Sequence, residues 1–256
     1  MRVGVDTGGT FTDVVTAAGE LVKVPSDAAD PSAAVAAGLA TFETSFLAHG
    51  TTVATNALLE GQGAAVALVA NAGLEDVIEI ARQNRPSLYD PWADRPPPLV
   101  PRAWRLGVAG RLAADGTELE ALGPVPAVPA GVAAVAVCLL HADLEPAHEV
   151  AVAAALRAAG FDVSCSHEVS PEFREYERTV TTVVNAYLRP VCRAYLERLA
   201  ALAPLVRVMT SAGGLVDLAF GSARPAASGR RRRWPPPTGS PGRSALTWVG
   251  PRPMSA

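Results

Sequence analysis

Residues 6–13 read Asp6-Thr7-Gly8-Gly9-Thr10-Phe11-Thr12-Asp13, and their neighbours decide the fold. Upstream, Arg2 to Asp6 (RVGVD) alternates as a short strand. Downstream, Phe11 to Thr16 (FTDVVT) has the β-branched character of a second one. A Gly-Gly turn between two strands lets the backbone approach an anion and leaves N–H groups pointing at it. Thr10 and Thr12 add hydroxyl donors for phosphate oxygens. Asp6, closing the first strand, is placed to hold Mg²⁺ through water, since a hard cation takes oxygen ligands and keeps most of its hydration shell. With Thr7, Gly8, Gly9 and Asp13 these residues make a candidate phosphate loop. An ordinary tight turn uses the same residue types. The position after the first strand and the two flanking acids favour phosphate. The loop differs from the Walker motif and the dinucleotide fingerprint, because a strand follows it instead of a helix.

Further along, Leu21 to Val24 is a third strand. Pro31 to Phe42 reads as a helix capped by Asp30, and Phe46 to His49 as a strand before a helix over Val53 to Leu59. Ala64 to Ala70 and Val132 to Leu140 are apolar runs that fit strands buried on both faces. Asn84 to Pro101, rich in proline, is a surface excursion. Asp115-Gly116 marks a hairpin between 107–112 and 117–119. Pro146 to Ala159 is a helix ending at Gly160, Asp162 to Ser166 a strand, and Glu172 to Leu202 a long amphipathic helix with a bend near Pro190. Leu205 to Met209 is one more strand. Alternating strands and helices make an α/β protein.

Composition narrows the function classes. The chain has 256 residues, 49% of them hydrophobic, with a formal net charge of −3. That balance excludes a disordered acidic chain and a basic nucleic-acid binder. Cys138, Cys165 and Cys192 are scattered, without zinc or disulfide spacing, which fits a reducing compartment. The first strand begins at Arg2, and no leader segment is expected. The longest apolar run, Ala127 to Leu140, is interrupted by Pro129 and too short to span a bilayer. The expectation is a cytoplasmic protein that binds neither nucleic acid nor membrane.

The loop DTGGTFTD resembles the first phosphate loop of the actin, sugar-kinase and Hsp70-type ATPase fold. Three further stretches are similar to the hydantoinase A / 5-oxoprolinase family: HGTTVATNALLEGQGAAVALVANAGLEDVIEIARQNRPSLYD at 49–90, HEVSPEFREYERTVTTVVNAYLRP at 167–190, and MTSAGGL at 209–215. The resemblance covers about residues 1–225. It implies an N-terminal lobe of the actin-like ATPase fold with an inserted α/β region. It further implies ATP and Mg²⁺, the opening of a cyclic amide such as a hydantoin or 5-oxoproline, relatives that carboxylate ketones, and a second, hydantoinase B-type subunit. A cyclic amide is a poor electrophile, and phosphorylating its oxygen makes an imidate-like species that water can attack. A small-molecule kinase and a non-catalytic interaction subunit are the rival readings.

No catalytic residue is assigned. Candidates for the substrate pocket come in three groups. His49, Thr51, Thr52 and Asn56 form a polar cluster at a strand end, where α/β sites tend to lie, although a strand-terminal cap uses the same residues. Arg82 and Arg85 could pair with a substrate carboxylate or with phosphate, although a solvated surface pair uses the same residues. Glu172, Glu175, Arg178 and Thr182 share a broad helix face, with Asn185 near it, and such charged faces are commonly just solvated. His141, His148 and His167 lack metal-ligand spacing and read as structural.

The family resemblance divides the chain into 1–203, an N-terminal domain, 204–225, the start of the main domain, and an Arg/Pro-rich tail over 226–256. In the family a second phosphate loop, close to DMGGTSTDV, follows. Taking the last base of each codon with the first two of the next, Trp248-Val249 forces a glycine, and Met254 followed by a TCN serine gives valine. Allowed codons from Leu246 to Ala256 can then spell that loop. The expectation is a frameshift near 225–230 and a chain that lacks the second lobe and is inactive alone.

Overall fold

The computed structural model describes residues 1–27, 29–84, 86–210 and 214–225. Arg85 and the tail from 226 lie outside the described residues. Strands β1 (Arg2–Thr7), β2 (Phe11–Thr16) and β3 (Leu21–Pro25) form an antiparallel meander. Helix α1 (Pro31–Leu39) starts where proposed, with Asp30 Oδ1 accepting the Ser32 N–H at 3.1 Å. It ends three residues earlier than the sequence implied, the chain leaving it in a turn closed by Phe42 N–H to Leu39 C=O. Strand β4 (Phe46–Thr51) is two residues longer than expected, because Gly50 and Thr51 stay in register with Asp6 and Thr7 of β1.

Helix α2 (Val53–Leu59), strand β5 (Val66–Asn71) and the short helix α3 (Val77–Ile80) follow. The proline-rich stretch then runs over the surface, with Leu88, Tyr89 and Trp92 exposed. Next come β6 (Arg105–Val108), the ribbon β7 (Arg111–Leu112) with β8 (Glu118–Glu120), β9 (Ala134–Val137), α4 (Ala147–Ala158), β10 (Asp162–Cys165) and α5 (Ser166–Val169). Helix α6 (Glu175–Ala200) starts three residues later than the sequence implied, because Arg174 before it is in the left-handed region at φ 88°. It runs through Pro190 as a single helix. Strands β11 (Leu205–Met209) and β12 (Leu215–Asp217) and helix α7 (Leu218–Ala223) close the described part.

The strands make two principal sheets. One is six-stranded, in the order β12-β11-β4-β1-β2-β3, with β1, β4 and β11 parallel. The other, inserted between β4 and β11 in sequence, is four-stranded and parallel in the order β10-β9-β5-β6. The difference follows from sequence pattern. In β1 and β2 only alternate residues are buried (Val3, Val5 and Thr7; Thr12, Val14 and Thr16), whereas every residue of β5 and β9 is buried. A parallel sheet covered on both faces needs continuous apolar strands, and an antiparallel meander does not. This mixed sheet with its inserted α/β unit is the N-terminal lobe that the sequence motifs implied.

Helix α6 ties the two sheets together. Its 26 residues span about 39 Å at the ordinary rise. Val183, Ala186, Tyr187, Leu188 and Cys192 pack in the core of the inserted sheet, while Tyr195, Leu196 and Leu199 pack under the six-stranded one. Because β11 pairs with β4, the sequence division between 1–203 and 204–225 falls inside one sheet.

Candidate functional site

Parallel strands leave their polar loops at one edge, and α/β proteins bind ligands beyond the carboxyl ends. The carboxyl ends of β1 and β4 lie side by side, pairing Asp6 with Gly50 and Thr7 with Thr51. The β1–β2 turn is closed by Gly8 N–H to Phe11 C=O at 3.0 Å, and Gly9 and Thr10 stand exposed at its tip. On the β4 side, Thr52 anchors the loop from below: its N–H and Oγ1 both donate to the Thr7 carbonyl, at 3.3 and 3.2 Å. Asn56, one turn into α2, lies beside Gly9, where an added Cβ would sit 3.7 Å from the Asn56 amide nitrogen.

Asp6 is exposed and has no ion-pair partner among the described residues. Gly50 gives it room, since a Cβ there would lie 3.0 Å from Asp6 Oδ1. An open carboxylate beside hydroxyl and carbonyl oxygens suits a hydrated Mg²⁺. Asp13 is different: its carboxylate faces Lys23 Nζ at 3.2 Å across the β2–β3 pair. Thr12 also departs from the sequence reading. It is fully buried and its Oγ1 bonds Ser26 Oγ at 2.9 Å, so Thr10 is the exposed hydroxyl of the loop and Thr12 braces it from within.

His49 and Thr51 lie just beneath. His49 is fully buried, and its Nε2 meets the Tyr195 hydroxyl of α6 at 2.7 Å. Burial pushes the imidazole down to about 4, so the ring is neutral at pH 7. Thr51 Oγ1 accepts the Val53 N–H at 3.1 Å and so starts α2. Tyr195 escaped the sequence reading because it falls in phase with Leu188, Cys192 and Leu199 on an apolar helix face.

The remaining candidates belong to a second cluster, at the start of α6 and the carboxyl edge of the inserted sheet. The helix face bearing Arg178 is not solvated. Arg178 is fully buried and donates to Asp143, to the Leu139 carbonyl at 2.7 Å and to the Glu172 carbonyl at 3.2 Å. Glu175 stands 3.8 Å from it, and Thr182 is buried with its hydroxyl on the Arg178 carbonyl. Arg82 is exposed but spoken for, its Nε on Glu177 at 2.9 Å. Asn185 is buried and donates to Ser164 Oγ and the Ala223 carbonyl. Glu172 is exposed.

Near this edge Glu149, Cys165 and His167 converge, their ligand-type atoms within 4.8 Å of one another. The two oxygens of Glu149 already accept four hydrogen bonds, from Leu139 N–H, Ser166 Oγ, His167 N–H and His167 Nδ1. Burial also pushes the Cys165 thiol up to about 12. The group is a satisfied structural knot. A signal for it existed in the sequence: Glu149 is a lone acid in phase with Val152, Ala153 and Leu156 on the apolar face of α4.

Comparison with known proteins agrees with this fold. Residues 2–160 match the hydantoinase/oxoprolinase N-terminal region. The chain is 40% identical over 230 residues to the caprolactamase subunit alpha of Pseudomonas jessenii, covering 78% of this chain and 33% of that one. It is 29% identical over 245 residues to 5-oxoprolinase 1 of Arabidopsis thaliana, covering 77% of this chain and 19% of the relative. The crystal structure of the ATP-dependent caprolactamase from Pseudomonas jessenii superimposes with a TM-score of 0.72 at 34% identity, over 89% of this chain and 38% of that chain. The chain thus spans about a third of the length of the caprolactamase subunit it matches.

Proposed function

The chain belongs to the hydantoinase/oxoprolinase family, and from that premise we propose that its β1–β2 loop cradles the phosphates of ATP in an enzyme that opens cyclic amides. One observation carries this reading: Asp6, Gly9 and Thr10 stand exposed at the carboxyl edge of β1, beside Asn56 and above Thr52, which anchors the Thr7 carbonyl. The backbone N–H groups of Gly9 and Thr10 would meet phosphate oxygens and Thr10 would add a hydroxyl, while the Gly8 N–H closes the turn. Asp6 would hold Mg²⁺ through water, and the ion would supply charge neutralisation for the phosphates. Thr7 and Thr12 hold the loop's shape, and Asp13 balances Lys23 beside it.

The activity proposed for the whole protein is hydrolysis of a lactam-type ring such as a hydantoin or 5-oxoproline. The phosphoryl group passes from ATP to the amide oxygen, water adds to the activated carbon, and the C–N bond breaks to open the ring as an acyl phosphate. A second water hydrolyses that acyl phosphate, leaving ADP, phosphate and the amino acid or its carbamoyl form. The chain's similarity to a protein named as a subunit supports a second subunit as partner. No helix among the described residues is long and apolar enough to cross a membrane, in keeping with a cytoplasmic setting. Ketone carboxylation is the neighbouring reading within the family.

The direct test is calorimetric titration of the 256-residue chain with MgATP, beside Asp6→Asn. Binding by the native chain, weakened at least tenfold by the substitution, supports the loop as the phosphate site; equal binding by both chains overturns it. A longer, frame-corrected version, with hydantoin, 5-oxoproline or a ketone with bicarbonate as substrates, separates the activities: free phosphate with ring opening marks the amidohydrolase, and a phosphorylated product marks a kinase. Resequencing from the codon for Leu205 past that for Ala256 tests the frameshift, which codon degeneracy at Leu246 to Ala256 supports. An unaltered frame with no alternative reading discards it.

A further inference from the structure

Beneath the loop lies a buried polar chain that loop chemistry alone does not require. His49, Tyr195 and Thr7 are each at most 2% exposed, on three different elements: β4, α6 and β1. His49 Nε2 and Tyr195 Oη are 2.7 Å apart, whereas His49 Nδ1 is buried without a partner. A neutral imidazole has one N–H. An orphaned buried N–H costs more than an orphaned lone pair, since donors have a single proton to satisfy and are almost always paired. The proton therefore belongs on Nε2, and His49 donates to Tyr195. Burial pushes the Tyr195 phenol up, so its own proton stays on and must be given elsewhere. Its hydroxyl faces those of Thr7 and Thr51. Thr51 Oγ1 already accepts the Val53 N–H, while Thr7 Oγ1 is buried and has no hydrogen-bond partner, which leaves it the open acceptor for the phenol proton.

We infer that Tyr195 is a positioning residue for the phosphate loop, accepting from His49 Nε2–H and donating to Thr7 Oγ1, so that α6 fixes the last residue of β1 before the Gly-Gly turn. Thr7 is thereby held at both ends, its carbonyl by Thr52 and its hydroxyl by Tyr195. The N–H groups of residues 8–10 follow directly from Thr7, so its orientation sets where they point. The inference rests on the ATP reading given above, and it names the residue that keeps the loop aimed without touching the nucleotide.

Two measurements on the 256-residue chain test it. The first needs no nucleotide: nitrogen-15 spectra of histidine-labelled protein at pH 7 report the His49 tautomer. A protonated Nε2 is the expected result, and a protonated Nδ1 overturns the relay. The second is MgATP titration of Tyr195→Phe, which keeps the ring and deletes the hydroxyl. Affinity should fall roughly tenfold, the value of one buried hydrogen bond. Thr7→Val should match it, Thr7→Ser should restore binding, and the double variant Tyr195→Phe/Thr7→Val should be no weaker than either single one. A lower melting temperature with unchanged MgATP affinity makes Tyr195 merely structural and overturns the inference. If the native chain binds no MgATP, the ATP reading falls and the positioning role with it, while the tautomer result still judges the hydrogen-bond direction by itself.

Discussion

The two sheets of this molecule present their carboxyl edges in opposite ways. At the edge of the six-stranded sheet, Asp6, Gly9 and Thr10 are exposed; the Asp6 carboxylate has no ion-pair partner among the described residues, and at Thr10 the carbonyl alone is engaged, by the Ser26 N–H. At the edge of the inserted sheet polar side chains are more numerous, yet most of their polar atoms pair with one another, Arg178 Nε being a buried exception. Arg178 is tied to Asp143 and two carbonyls, and Glu149 accepts four hydrogen bonds. Asn71 bonds the Gly110 carbonyl and the Leu140 N–H. Charge and polarity alone do not mark a binding site. The informative feature is polar groups left open at a strand edge, because folding satisfies buried ones wherever it can.

The strongest way to break this contrast is at Arg178. Arg178→Ala strips a buried partner from Asp143 and from the Leu139 carbonyl. Unfolding free energy should fall by about 3–5 kcal/mol, read by urea titration, while MgATP affinity of the folded fraction stays unchanged. Unchanged stability with lost nucleotide binding would put function at the second edge and invert the comparison.

A comparably large effect belongs to His49, and its sign is fixed by burial. The folded value is pushed down to about 4 from an ordinary 6.5. Above about pH 6.5 the ring is neutral in both states and stability is complete. As the pH falls toward 4 the unfolded chain takes up a proton that the folded one refuses, and roughly 3 kcal/mol is lost across that window. Urea titrations between pH 4 and 7 should show this slope, and His49→Gln should flatten it. A native chain with no loss down to pH 4 would show that the ring is not held neutral.

Much of the first edge was legible in the sequence and much of the second was not. RVGVD, Gly-Gly and FTDVVT declare strand, turn and strand through a period of two, and the same period places Thr12 in phase with buried Val14 and Thr16. Local pattern therefore held the answer on Thr12 as well as the loop. Arg178 is another matter. Helical spacing puts it with Glu175 and Thr182, but burial depends on Leu139 and Asp143, which lie in the loop after β9. No local pattern carries a contact made 39 residues away. Tyr195 fails for a related reason: an aromatic at core spacing looks apolar until its hydroxyl partner on another strand is known.

A smaller, sharper test lies at Gly50. In Gly50→Ala the new methyl would sit 3.0 Å from Asp6 Oδ1 and push the carboxylate from its place. MgATP affinity should drop by about fivefold, with stability changed by less than about 1 kcal/mol. Calorimetry and urea titration on the same sample separate the two. Full affinity would remove Asp6 from the metal site and leave phosphate binding to the backbone alone.

The least effect is expected at Arg82, and it bears on the rule itself. Arg82 and Glu177 form an exposed ion pair between the end of α3 and the start of α6. Although the guanidinium is held by that carboxylate, both groups remain in water, where such pairs contribute little and are screened by salt. Glu177→Gln should move the thermal midpoint by no more than about 3 °C and leave MgATP binding as it was. The substitution also removes the counter-charge from Arg82, leaving a surface cation without an anionic partner. If open polar groups alone made a site, the variant would gain affinity for a small carboxylate such as 5-oxoproline, measurable by the same titration. The expected result is no gain, because Arg82 sits over the Tyr176 ring on an open surface, whereas Asp6, Gly9 and Thr10 lie within five residues of one another at the carboxyl end of β1, beside the end of β4. Convergence on a rigid strand edge, together with open polar groups, is what separates the two regions.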